Sequence, residues 1–145
     1  MEFGLSHLSF YRGVCIGYGT PRTLFDSMVY ASKGDFREWQ PTWTVGVPAV
    51  WESVRKAVVT KIGLLGKAEQ ADFWQALTEA RKPSCRVLSS RNASNDKFAS
   101  VREMLGGKLK FAVTGGGPIA PDTQDFISHT IAPLCGGFGM TETSG

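Results

Sequence analysis

The chain has 145 residues, 42% of them hydrophobic and 20% charged, far from the low-hydrophobicity, high-charge composition of disordered segments. Sixteen Lys and Arg against thirteen Asp and Glu leave a formal charge of +3, and the cations are scattered along the chain, so nothing points to nucleic acid. The three cysteines, Cys15, Cys85 and Cys135, form no CxxC pair and have no nearby histidines to complete a zinc site, which fits a reduced, intracellular protein.

The N-terminal MEFGLSHLSFYRG carries Glu2 where an export signal carries positive charge, and it lacks an apolar h-region. Arg12, Arg22, Asp26 and Lys33 interrupt the first third, and no window reaches the about 18 apolar residues of a spanning helix. Without an export signal the sequon Asn92-Ala93-Ser94 has no expected role. Residues 2 to 12 read as the end of a helix, and glycines bracket Val14-Cys15-Ile16 as a short buried strand of a parallel sheet. Gly34 to Gln40 predicts a short surface helix ended by Pro41, and Thr42 to Val47 a second strand. Pro48 opens the clearest amphipathic helix, with Val50, Trp51, Val54, Ala57, Val58, Ile62 and Leu65 at three- and four-residue spacings. A polar-faced helix follows over Ala68 to Arg81, with Ala71, Trp74 and Leu77 expected inward. From residue 82 to 97 periodicity is lost and a loop is expected. Asn95 or Asp96 then caps a helix carrying Phe98, Val101, Met104 and Leu105, closed by Gly106-Gly107. Lys108 to Val113 reads as a strand, Pro121-Asp122 opens a helix with Phe126, Ile127, Thr130 and Ile131, and Leu134 to Phe138 is the last strand. Alternating strands and helices predict an α/β fold with a mainly parallel sheet and flanking helices.

Ligands of open parallel sheets lie at the carboxyl ends of the strands, and two glycine-rich turns fall at such ends, TGGGP and GGFGMTETSG. Glycines let backbone amides approach a base or a phosphate and supply positive-φ turns, although either cluster alone also serves as a plain strand-to-helix turn. The second turn joins an aromatic ring, a hydroxyl and a carboxylate in Phe138, Thr141 and Glu142, a set suited to stacking a purine, binding a phosphate oxygen and holding Mg²⁺.

GFGMTETSG resembles the YGxTE signature of adenylate-forming, AMP-binding enzymes. The chain as a whole is similar to long-chain fatty acyl-CoA synthetases of the fungal type, through IGYGTPRTLFD, GDFREWQPTWTVGVPAVWESVRK, GGKLKFAVTGGGPIAPDTQDFI and GFGMTETSG in the family's order. Only residues 82 to 97 fail to match. The resemblance implies an interior portion of the family's large N-terminal domain, lying between its phosphate loop and its C-terminal domain, and inactive by itself. It further implies that Gly115, Gly116, Gly117 and Pro118 line the adenine and acyl-adenylate pocket. Phe138 would stack on adenine, Gly139 would belong to the same nucleotide-binding turn, Thr141 would contact phosphate, and Glu142 would bind Mg²⁺. Phe138 stands where tyrosine is usual, and Gly117 where alanine or serine is common. The implied substrates are a long-chain fatty acid, ATP and coenzyme A, joined through an acyl-adenylate, in an enzyme that is cytoplasmic or peripheral to endoplasmic reticulum, lipid droplet or peroxisome membranes. The family's acyl tunnel is represented in part by Val47 and Pro48, which a plain core reading accounts for equally. Two other readings compete: a non-catalytic α/β interaction fragment, and a dinucleotide-binding oxidoreductase in which Gly115 to Ala120 is a GxGxxA fingerprint, although Pro118 inside it argues against that. Ser128-His129 reads as a surface pair rather than part of a hydrolase triad.

Overall fold

The computed structural model describes residues 9, 11–26, 29–82 and 97–137. Its elements in chain order are α1 (Asp35–Trp39), β1 (Trp43–Gly46), α2 (Pro48–Gly63), α3 (Lys67–Ala80), α4 (Ala99–Met104), β2 (Phe111–Thr114), α5 (Pro121–Thr130) and β3 (Leu134–Gly136). The three strands form one parallel sheet in the order β1-β2-β3, with Trp43 opposite Phe111, Gly46 opposite Thr114, and Ala112 opposite Leu134. This is the expected α/β arrangement. Among the described residues no helix is long and apolar enough to cross a membrane.

Proline sets the two helices nearest the glycine turns. Pro48 and Pro121 each occupy a first-turn position, where the missing N–H has no intrahelical partner to lose. In α2 the residues Trp51, Val54, Val58 and Ile62 form one buried stripe, as their spacing predicts. In α5 the buried set is Thr123, Phe126, Ile127 and Thr130, followed by Ile131. These stripes meet Ala112 of β2 and Leu134 of β3 in one core with Phe73, Leu77, Phe98 and Leu105. Each fully buried large side chain contributes about 1.5–3 kcal/mol relative to exposure. Phe73 is the aromatic hub, edge-on to Phe98 at 5.2 Å and tilted on Phe126 at 6.4 Å.

Three expectations are corrected. Val14-Cys15-Ile16 is not a buried strand: the run has no ladder partner among the described residues, Val14 and Cys15 are exposed, and Val14 N–H bonds to Ser9 O. Three apolar residues cannot be buried where no second layer covers them. On α3 the inward residues are Phe73 and Leu77, flanked by Ala76 and Ala80, whereas Ala71 is exposed and Trp74 is 42% exposed. Phe73 takes the buried place against Phe98, and Trp74 lies beside it, part-exposed, with its ring 6.4 Å from that of Phe126. The cap of α4 is Phe98, with no side-chain bond, rather than Asn95 or Asp96. Those two residues, most of the 82–97 loop and of the 2–12 helix, and the sequon lie outside the described residues.

Candidate functional site

The carboxyl ends of the three strands lie side by side and create the one place where both proline-opened helices begin beside glycine turns. At the end of β1, Gly46 O accepts from Gly115 N at 3.3 Å and from the Trp51 indole N–H at 3.3 Å. At the end of β2, Thr114 O accepts from Gly137 N at 2.7 Å. The β1–α2 turn (Gly46, Val47, Pro48) therefore sits against the β2–α5 turn (Gly115 to Ala120), with the end of β3 on the other side of β2. Gly116 has φ +83°, a conformation that side-chain-bearing residues resist, so the turn needs glycine there. A Cβ at Gly116 would stand 3.8 Å from Val47 Cγ1, and one at Gly117 3.8 Å from Pro48 Cγ. The two turns thus touch through small apolar surfaces. Val47 is 53% exposed rather than core.

Of the predicted site residues, Gly115, Gly116, Gly117 and Pro118 form the turn that follows β2. Phe138, Gly139, Thr141 and Glu142 lie outside the described residues, which end at Gly137, whose amide donates to Thr114 O. One polar group escaped the sequence reading. Thr114 is 2% exposed and its hydroxyl has no hydrogen-bond partner among the described residues, directly beneath the turn. A threonine closing a strand before three glycines was the available signal, but orphaning depends on neighbours that sequence does not name.

The turn itself carries no titratable side chain from Val113 to Ile119. Arg55 on α2 is engaged with α5, donating to the Thr123 hydroxyl at 2.9 Å and lying 5.8 Å from the Phe126 ring centre. Asp26 is remote from the crevice. The Gly34 amide and the Arg37 guanidinium hold its carboxyl below the ordinary value, which marks a local loop clamp. Ser128 and His129 are both used structurally: Ser128 Oγ accepts from Leu134 N at 3.2 Å, and His129 Nδ1 lies 2.8 Å from Asp125 O and 3.1 Å from its carboxylate. Among the described residues no group of three or more His, Cys, Asp or Glu could hold a metal. An open groove of about 970 Å³ runs between α1, α4 and the C-terminal half of α2, lined by Phe25, Lys56, Thr60, Lys61 and Met104 among others. None of the predicted site residues among those described lines it.

A family model described as AMP-binding enzyme matches residues 1–145. Long-chain-fatty-acid–CoA ligase 1 of Saccharomyces cerevisiae is 41% identical over 137 residues, covering 94% of this chain and 20% of that protein. Palmitoyl-CoA ligase FUM16 of Gibberella moniliformis is 37% identical over 143 residues, covering 98% of the chain and 21% of the relative. Long chain acyl-CoA synthetase 8 of Arabidopsis thaliana is 32% identical over 144 residues, covering 92% and 20%. The chain therefore spans about one fifth of the length of the curated relatives it matches, and the fungal likeness read from the motifs holds over nearly all of it. No solved structure matches. Nothing in these comparisons supports the dinucleotide-binding or the non-catalytic reading.

Proposed function

We propose, from the premise that this chain belongs to the AMP-binding enzyme family, that it supplies one wall of the adenylation site of a long-chain fatty acid–CoA ligase. The observation that carries this reading is the position of Gly115 to Pro118 at the carboxyl end of the central strand, against the β1–α2 turn. A planar base can lie on a turn that presents backbone and no side chains. Relatives named as long-chain fatty acid ligases align across this stretch.

The reaction has two displacements. A fatty carboxylate oxygen attacks the α-phosphorus of ATP and pyrophosphate leaves, giving the acyl-adenylate. The coenzyme A thiol then attacks the acyl carbonyl and AMP leaves. No protein nucleophile is required, so the protein's contribution is alignment and charge, and alignment alone accounts for roughly 7–11 kcal/mol of barrier. Gly115 to Pro118, Phe138 and Gly139 hold the adenine, Phe138 by stacking. Thr141 donates its hydroxyl to a phosphate oxygen. Glu142 is a single hard carboxylate, which suits Mg²⁺ because that ion takes most of its remaining oxygens from water and substrate phosphates. When bound, the ion would neutralise charge on the leaving pyrophosphate. An intracellular enzyme, cytoplasmic or peripheral to a lipid-bearing membrane, goes with this chemistry.

The test uses a chimera in which these 145 residues replace the matching fifth of the yeast relative. The chimera is expected to exchange labelled pyrophosphate into ATP in the presence of hexadecanoate, and Glu142→Gln to lower the rate at least a hundredfold. The 145-residue chain by itself should show no exchange, since it cannot hold acid, ATP and metal in line. Robust exchange by the isolated chain, or near-normal exchange by the glutamine variant, would contradict this assignment.

A further inference from the structure

The turn joining α2 to α3 carries its apolar side chains outward. Leu64 is 84% exposed and Leu65 39%, whereas Ile62 just before them is buried in the core. A lone exposed leucine needs no explanation, but this pair is held out on a turn whose polar backbone is closed on itself. Leu64 N and Leu65 N donate to Lys61 O and Ile62 O at 3.1 and 3.0 Å. The Gln70 side-chain amide donates to Gly63 O at 3.2 Å and to Leu65 O at 2.8 Å, and Gly66 N donates to the Glu69 carboxylate at 3.1 Å. Backbone groups that already have partners can leave water without leaving hydrogen bonds unmade.

The charge around the pair has one sign. From Arg55 to Ala68 the chain has four cations and no acid. Arg55 is engaged by α5, which leaves Lys56, Lys61 and Lys67. The Lys61 ammonium reaches Ser100 O only at 3.5 Å, beyond the ordinary range of a hydrogen bond. Lys56, Lys61 and Leu64 also border the open groove beside α1 and α4, where Asp26 is already tied to Arg37 and the other acid is Glu103. Leucines with lysines on either side in sequence match a bilayer surface: the alkyl groups enter the headgroup boundary, and the long lysine stems keep the ammonium groups among anionic headgroups. A protruding tip suits a fluid surface, since a folded partner would have to supply a matching pocket. We propose that the α2–α3 turn docks on an anionic phospholipid surface through Leu64 and Leu65, with Lys61 and Lys67 on the lipid phosphates. The proposal deepens the membrane-peripheral placement given above and requires neither the nucleotide site nor the reaction.

The test sediments the chimera with vesicles of phosphatidylcholine alone, or with about a third of the lipid replaced by phosphatidylserine. Partitioning is expected to be stronger on the anionic vesicles and to weaken as salt is added. Leu64→Ser combined with Leu65→Ser should lower partitioning onto the anionic vesicles by about tenfold or more. Lys61→Gln combined with Lys67→Gln should lower it there by about tenfold or more and leave the neutral vesicles unaffected. The rest of the chimera is common to all variants, so these differences belong to the turn. Neither pair touches the glycine turn, so exchange of pyrophosphate with hexadecanoate in vesicle-free solution should be unchanged, and the thermal midpoint should not fall. Equal partitioning of the serine variant, binding indifferent to phosphatidylserine, a lowered midpoint showing the leucines covered by the rest of the ligase, or a dimer that dissociates on serine substitution would each overturn the proposal. A chimera that binds vesicles as expected but exchanges no pyrophosphate would overturn the ligase reading and support the docking turn.

Discussion

Thr114 shows how much depends on one atom. Its hydroxyl is buried beneath the glycine turn with no partner among the described residues, while Thr130 donates to Phe126 O at 2.8 Å and Thr123 receives the Arg55 guanidinium. A buried hydroxyl left unsatisfied costs about 1–3 kcal/mol, whereas a shape-matched apolar replacement removes that cost. Thr114→Val in the chimera is therefore expected to be neutral or to raise stability by about 1 kcal/mol, read from the urea midpoint. A loss of the same size would show that the hydroxyl is engaged. The glycines and proline beside it were legible in sequence because they state their own backbone requirements. Thr114 was not, because its condition is set by Gly46, Gly136 and the helix ends around it. Val47 was ambiguous between core and site, and only its exposure decides.

Elements announced themselves where punctuation and periodicity agreed. Pro48 opening a four-residue stripe fixed α2, and the parallel strands followed from short apolar runs separated by helix-length connections. Where only composition spoke, the reading failed: Val14-Cys15-Ile16 has strand chemistry but no neighbour to pair with, and the Phe73-Trp74 pair left the inward face of α3 open by one residue. The end of α4 was legible for a physical reason that the structure sharpens. Gly106 has φ +81°, and a Cβ there would run into the Phe36 carbonyl oxygen of α1, so this glycine both ends α4 and lets α1 dock. Gly106→Ala combines a disfavoured backbone, roughly 1–2 kcal/mol, with that backbone overlap. It is expected to destabilise the chimera by at least about 2 kcal/mol in urea unfolding. A midpoint within experimental error of the unsubstituted protein would show that α1 and α4 do not approach in this way.

At the scale of the whole molecule, helices cover one face of the sheet among the described residues. Ala112 and Leu134 lie in the core with α2 and α5, while Trp43, Val45 and Phe111, at 39%, 39% and 40% exposure, and the exposed Cys135 line the other face. Parallel sheets are ordinarily covered on both faces. The chain spans about one fifth of the length of its relatives, and the crevice at the strand ends presents backbone and small apolar groups. On the proposed function, the nucleotide and acyl group lie at the carboxyl edge of this sheet. The most direct measurement is a crystal structure of the chimera with a non-hydrolysable acyl-adenylate, a hexadecanoyl sulfamoyl adenosine. The expected result is adenine against Gly115 to Pro118 with Phe138 stacked on it, and the first acyl carbons beside Val47 and Pro48. Adenosine seated in the groove between α1, α2 and α4, or at any site that leaves the glycine turn uncontacted, would contradict it.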